Sequence, residues 1–256
     1  MRIDCDGIGD GLRNMDQLRP ARDSIVKNGY VVLDRVIADT KISALAEAFS
    51  NRHETFDSHR RLGERRFAVA VELAGPFADA VLYANPAILT VVREVLDQDA
   101  VLEAVDAMVI FPGAGPQHIH RDGCLLFDSA LSPLLPAHAL TVVLPLGHQR
   151  VALWPESHRW KVRGDDVPPD VVELPAGSAL VRDCRLFCSD MGNRADRHVI
   201  ALQIIYARPW YRNSGDLLRG DRAPLLASHD FLVDLGTDER RLFAHVELAG
   251  TWNPSS

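Results

Sequence analysis

The chain has 256 residues, 47% of them hydrophobic and 25% charged, with a formal net charge of −7 at pH 7. These are values of a folded chain able to bury a sizeable core, and they argue against extended disorder. The acidic balance argues against a nucleic-acid partner, because phosphate recognition needs a basic face.

The N-terminus, Met1-Arg2-Ile3-Asp4-Cys5-Asp6, lacks a basic stretch followed by an apolar one, so no secretory signal and a cytoplasmic location are expected. Cys5, Cys124, Cys184 and Cys188 are then expected to be free thiols, and their spacing matches no zinc pattern. No apolar run approaches the roughly 20 residues needed to cross a bilayer. The first hundred residues read as helical and mixed. A helix ends at Asn28-Gly29, a short strand follows over Tyr30-Val31-Val32-Leu33, and Ile42, Leu45, Ala48 and Phe49 space a helix over Asp39 to Asn51. The arginine-rich passage from His53 to Arg66 has no period and reads as a solvated loop, with an anionic-substrate clamp as the sharper alternative. Another helix is expected from Pro86 to Asp97.

From about Leu102 the pattern changes to short apolar runs between Gly and Pro turns. They are Ala107 to Phe111, Leu140 to Leu146, Val151 to Trp154, Ser178 to Val181 and His198 to Tyr206. Short strands in this rhythm predict a mainly β fold with flanking helices, a barrel or jelly roll. One domain over residues 1–256 is expected: a helical and mixed part over 1–100, a β core over about 102–210 and an extension over 211–256.

The chemistry concentrates in Gln117-His118-Ile119-His120-Arg121-Asp122, directly after the turn Pro112-Gly113-Ala114-Gly115-Pro116. In an extended strand His118, His120 and Asp122 project from one face. A His-x-Asp pair on one face is two thirds of a 2-His-1-carboxylate iron site, which leaves the other side of the metal open for substrate and oxygen.

Several segments together resemble the phytanoyl-CoA dioxygenase family. They are Gly29-Tyr30-Val31-Val32, Gln117 to Asp122, Trp154-Pro155-Glu156-Ser157-His158-Arg159, Pro175 to Leu180, Asn193-Arg194-Ala195-Asp196-Arg197 and Tyr206 to Trp210. The resemblance implies a double-stranded β-helix (jelly-roll, cupin-like) core, iron(II) and 2-oxoglutarate as cofactors, and His120 and Asp122 as the first two metal ligands. The chain departs from it twice. The stretch Arg185-Leu186-Phe187-Cys188 puts cysteine where the family has its second histidine, and Val199 stands where the family's arginine pairs with the cosubstrate. Thiolate would add negative charge and invite sulfur oxidation beside a metal that activates oxygen, and valine cannot form the bidentate clamp of an arginine. Arg197 would share the face of Val199 if the strand were shifted; His198 would not.

These departures favour an enzyme with no metal cofactor that performs dehydration, cyclisation or isomerisation on a small apolar or aromatic molecule. In it His118, His120 and Asp122 are the catalytic residues, with Asp122 orienting His120 and His120 moving the proton near neutral pH. Gln117, Phe127, Trp154, Phe187, Cys188 and Met191 are expected to line the substrate cavity, although Cys188 reads most simply as a small buried residue filling the volume of a histidine. His158 is expected to tidy a turn. The alternatives are an iron(II)/2-oxoglutarate oxygenase whose metal sits on His120 and Asp122 with an atypical third ligand, and a ligand-binding protein without catalysis.

Overall fold

The computed structural model describes residues 1–7, 12–52, 60–164, 167–212 and 225–248. Its strands and helices in chain order begin β1 (Arg2–Asp4), α1 (Leu12–Asn28), β2 (Tyr30–Asp34), α2 (Asp39–Arg52), β3 (Arg60–Gly63), β4 (Arg66–Ala70) and β5 (Glu72–Leu73). There follow α3 (Ala80–Tyr83), α4 (Pro86–Leu96), β6 (Val101–Ile110), β7 (Ala139–Pro145) and β8 (Gln149–Leu153). β9 (Asp170–Leu174), β10 (Ala179–Asp183), β11 (Cys188–Asp190) and β12 (Val199–Ala207) complete the core, and short helices at His229–Asp234 and Thr237–Leu242 follow.

Eight strands form one sheet in the order β1-β2-β10-β7-β12-β6-β4-β3, and three form a smaller one, β11-β8-β9. The fold is mainly β with flanking helices, and the core is a jelly roll. Alternation along each strand of the large sheet divides its side chains between two layers. On the outer face Val31, Leu33, Leu140, Val142, Ala179, Val181, Leu202 and Ile204 pack against Leu18 and Ile25 of α1, Leu45 and Phe49 of α2, and Ile88 and Val92 of α4. On the inner face Tyr30, Val32, Val143, Leu180 and Ala201 meet Val151 and Leu153 of β8, Leu174 of β9 and Cys188 of β11.

Helix α1 stops at Gly29, whose φ of 88° is left-handed and whose missing Cβ leaves room for Leu186 and His158. Helix α4 starts from Asn85, whose side chain accepts from the Ala87 and Ile88 amides, with Pro86 in the first turn. Two sequence expectations are corrected. Residues 60–66 of the arginine-rich passage are not a solvated loop: they form the β3–β4 hairpin on the edge of the large sheet, with Arg66 paired to Ile110 of β6, while 53–59 lie outside the described residues. The stretch from His118 to Asp122 is not a strand in a ladder. It touches β11 through the bridge of His120 with Cys188, and the ladder goes no further because the Gln117 amide, one residue out of register, takes the Asp190 carbonyl that His118 would need.

A candidate active site around His120, Asp122 and Arg182

Residues 112–123 are laid along β11 by backbone bonds rather than by a regular ladder. His120 and Cys188 exchange both of theirs, at 3.0 and 2.9 Å; the Gln117 amide donates to the Asp190 carbonyl at 2.8 Å, and the Gly123 amide to the Cys184 carbonyl at 2.8 Å. Asn193 pins the preceding turn, its Nδ2 donating to the carbonyls of Ile110 and Arg197, both at 2.8 Å. Gly192, with φ 82°, lets Ala114 and Gly115 pass over it. Arg121 stacks on Phe187, 4.0 Å from the ring centroid, and its Nε donates to the Arg185 carbonyl at 2.7 Å. The segment is held from both ends.

His118, His120 and Asp122 do come together. The two imidazole centroids are 5.2 Å apart, and His120 Nε2 lies 3.5 Å from Asp122 Oδ1. His120 Nδ1 lies 3.0 Å from the His118 carbonyl, so it donates there and Nε2 faces the site. Cys188 Sγ lies 3.8 Å from that Nε2 and 4.0 Å from Asp122 Oδ1. One atom each from His120, Asp122 and Cys188 lies within 4.8 Å of the others, a donor set of the right size for a metal ion.

A fourth group occupies the same place. Arg182 of β10 donates from Nε to Asp122 Oδ2 at 2.8 Å and from Nη2 to Oδ1 at 3.0 Å, and the two side chains are 4% and 9% exposed. Both carboxylate oxygens are thus engaged by a buried, permanently charged guanidinium in fork geometry. A divalent ion at this donor set would compete with Arg182 for Asp122 and face its positive charge across a distance of a few ångströms. In this arrangement Arg182, rather than an ion, engages both oxygens of Asp122.

Charge within the site is split. Burial alone would push the Asp122 carboxyl up, but Arg182 and His120 hold it far below the usual carboxylate range. Burial favours the neutral form of His120, but its hydrogen bonds to Asp122 and Cys188 outweigh this and raise its pKa well above that of ordinary imidazole. His118, an exposed residue, moves the other way, lowered by partial desolvation and by the positive charges of His120 and Arg66. Against the expectation that His120 titrates near neutrality, its pairing with Asp122 favours the imidazolium form.

A further polar layer lies beside the site. Asp190 of β11 is buried and accepts from Gln149 Nε2. Burial raises its carboxyl pKa, against the opposing pull of Arg182, Arg66 and His120. The six residues expected to line one cavity do not gather there. Phe127, 63% exposed, lines a cavity of about 770 Å³ with Leu125, Leu126, Trp210 and Tyr211, next along the chain from Asp122. Met191 lines another cavity, of about 480 Å³, with Gln149 and Arg197. Trp154 is buried and donates to the Val167 carbonyl at 2.8 Å, and Phe187 lies beneath Arg121. Gln117 and Cys188 are in the site itself. His158 does serve its turn, with Nε2 3.2 Å from the Val26 carbonyl. Val199 packs with Met108, Ile110 and Ala114, while Arg197 and His198 are exposed and line the same cavity as Met191.

Arg182 and Asp190 were missed from the sequence. The signal was present in Ala179-Leu180-Val181-Arg182-Asp183, where alternation places Arg182 on the face of Leu180.

No family model matches the chain, and no curated protein matches it in sequence. Solved structures do. The epimerase SnoN in complex with Fe3+, alpha ketoglutarate and nogalamycin RO shares 19% identity at a TM-score of 0.62, over 82% of this chain and 96% of that one. HygX from Streptomyces hygroscopicus with nickel, 2-oxoglutarate and hygromycin B bound shares 14% at 0.63, over 76% and 89%. The alpha ketoglutarate dependent carbocyclase SnoK from nogalamycin biosynthesis shares 21% at 0.57, over 80% and 91%. At such identities the likeness shows a shared fold, and chemistry has to be argued from the side chains.

Proposed function

We propose that this chain is a cytoplasmic enzyme that tailors a small apolar or aromatic metabolite by proton transfer without a metal, through dehydration, cyclisation or isomerisation. The observation that carries the reading is the bidentate grip of Arg182 on Asp122, which places a fixed cation on the carboxylate that a metal would need. His118 and His120 supply the two halves of the chemistry. Two titratable neighbours pushed in opposite directions form an acid and base pair. His118, held neutral, removes a proton from the substrate, and His120, held protonated, delivers one from Nε2 to the departing or rearranging group. Asp122 stays ionised, orients His120 and stabilises its cation. After a dehydration the products are an alkene and water, and His118 returns its proton to His120 through solvent. SnoN and SnoK, an epimerase and a carbocyclase, support a tailoring role on this fold.

The test is turnover in D2O under nitrogen by chelator-treated protein, followed by mass spectrometry over aromatic and polyketide-like candidates. Deuterium incorporation or loss of water that survives chelation is expected, and abolition of turnover by the chelator contradicts the reading.

A second reading rests on the 4.8 Å grouping of His120, Asp122 and Cys188, which is a metal-ligand set in an oxygenase fold. On that reading the chain is an iron(II)/2-oxoglutarate oxygenase with cysteine as third ligand. Anaerobic addition of iron(II) and 2-oxoglutarate would then give a visible charge-transfer band, and its absence at saturation removes this alternative.

A further inference from the structure

The connection between β11 and β12 is built around one side chain. Asn193, 4% exposed, donates from Nδ2 to the Arg197 carbonyl at 2.8 Å and accepts at Oδ1 from the Ala195 amide at 2.9 Å. These bonds close Arg194-Ala195-Asp196-Arg197 into a tight turn that presents two exposed arginines. Both line a cavity of about 480 Å³, which Ala46 and Ser50 of α2 and the β7–β8 turn also enclose.

The cavity is charged against the sign of the chain. His148, Arg150, Arg194, Arg197 and His198 line it, and among the described residues no aspartate or glutamate does, although the net charge of the chain is −7. Glu173 offsets part of this charge from behind, with carboxylate oxygens 2.9 Å from Arg150 Nε and 2.8 Å from His148 Nε2. Arg194 and Arg197 form no ion pair among the described residues, and Asp196 between them is not part of the wall. Two like charges held in one turn repel, and a bound anion replaces that repulsion with charge-assisted hydrogen bonds.

An independent feature also points to a ligand. Gln149 lines the cavity and is 4% exposed; its Nε2 donates to Asp190, while its buried Oε1 has no partner. An unmet buried acceptor is costly, and a ligand hydroxyl would supply the missing donor. The anion that suits this wall is a phosphate ester. Near neutral pH it carries close to two negative charges and three terminal oxygens, enough for two guanidiniums, whereas the fork of one arginine already fills a carboxylate.

We propose that this cavity binds a hydroxylated phosphate monoester, with Arg194 and Arg197 on the phosphate and Gln149 on a hydroxyl. It is a second site: α2, which forms one wall, belongs to the helical layer, and Gln149 connects the cavity to Asp190 beside His120. The inference does not rest on proton transfer and holds whichever reaction the His120 site performs.

Calorimetric titration of the full chain at low ionic strength in EDTA, with ribose 5-phosphate, ribose, inorganic phosphate and succinate, tests it. Ribose 5-phosphate is expected to bind at least tenfold more tightly than ribose or succinate, and severalfold more tightly than inorganic phosphate. The double variant Arg194→Gln/Arg197→Gln changes two exposed side chains and is expected to lose at least tenfold in affinity. Ser50→Glu, which puts a carboxylate on the α2 wall, is expected to do the same, so if one variant fails to fold the other decides. Arg19→Gln/Arg22→Gln, on the exposed face of α1, is expected to leave binding unchanged. The proposal is overturned if ribose 5-phosphate does not bind, if ribose, succinate or inorganic phosphate binds as tightly, if a folded wall variant keeps the affinity, or if the α1 variant loses as much as the wall variants.

Discussion

Arg182 and Asp122 form an ion pair that neither partner can leave without cost. Breaking a buried pair by removing one member strands the other charge and typically costs about 3–5 kcal/mol. Arg182→Gln is therefore expected to lower stability by about that amount at neutral pH, measured by denaturant unfolding. The pH dependence follows from the direction of the Asp122 shift. Its folded pKa lies below the unfolded value of about 3.9, so the pair stabilises the fold fully above that value and the contribution is lost as pH falls through the folded one. In Arg182→Gln the carboxyl loses its main charge partner and its pKa rises. Acidification then protonates it, and the gap between variant and wild type should close as pH falls. A gap that widens on acidification would contradict the pairing. The free energy stored at Asp122 was legible only in part from the sequence: His120 and Asp122 announce themselves by spacing, whereas their partner lies 60 residues away on β10.

At the scale of elements, the site depends on a segment that is not itself regular. Residues 112–123 take their position from Asn193, Gly192 and the bridge to Cys188, and the histidines follow. Asn193→Ala removes two donors to backbone carbonyls and the acceptor of the Ala195 amide at 2.9 Å. Leaving those groups unpaired costs roughly 1–3 kcal/mol, and thermal unfolding several degrees lower is expected. Turnover should fall further than this loss of stability explains, since the proton-transfer pair would no longer be held over the site; unchanged turnover would show that the turn does not position it. Strong patterns were readable in the sequence: α2, β2, β7 and β12 lie where apolar spacing puts them. Short or polar strands were not, because β9 begins after two prolines and β11 has three residues. Arg66 looked solvated within a run of arginines, and only the pairing of β4 with β6 turns it inward.

For the whole molecule, two packed layers hold the jelly roll, and the site grows out of the inner one. Leu180 lies fully buried between the sheets, two residues before Arg182 and on the same face. Leu180→Ala is expected to cost about 2–5 kcal/mol by opening a cavity there, and by loosening β10 it should weaken the hold of Arg182 on Asp122 as well. Because the fold is held by these layers and by the Arg182–Asp122 pair, prolonged dialysis against EDTA should leave the unfolding temperature unchanged. A drop on chelation would mean that a metal contributes to the folded state. The structures of SnoN and HygX carry iron or nickel with a 2-oxo acid, whereas here a guanidinium grips the carboxylate.

The most direct measurement is histidine NMR of the 15N-labelled protein at neutral pH under nitrogen, before and after one equivalent of iron(II). The expected result is His120 with both ring nitrogens protonated, His118 neutral, and neither signal altered by the metal. A neutral His120, or loss of its signal to paramagnetic broadening at one equivalent, would contradict it.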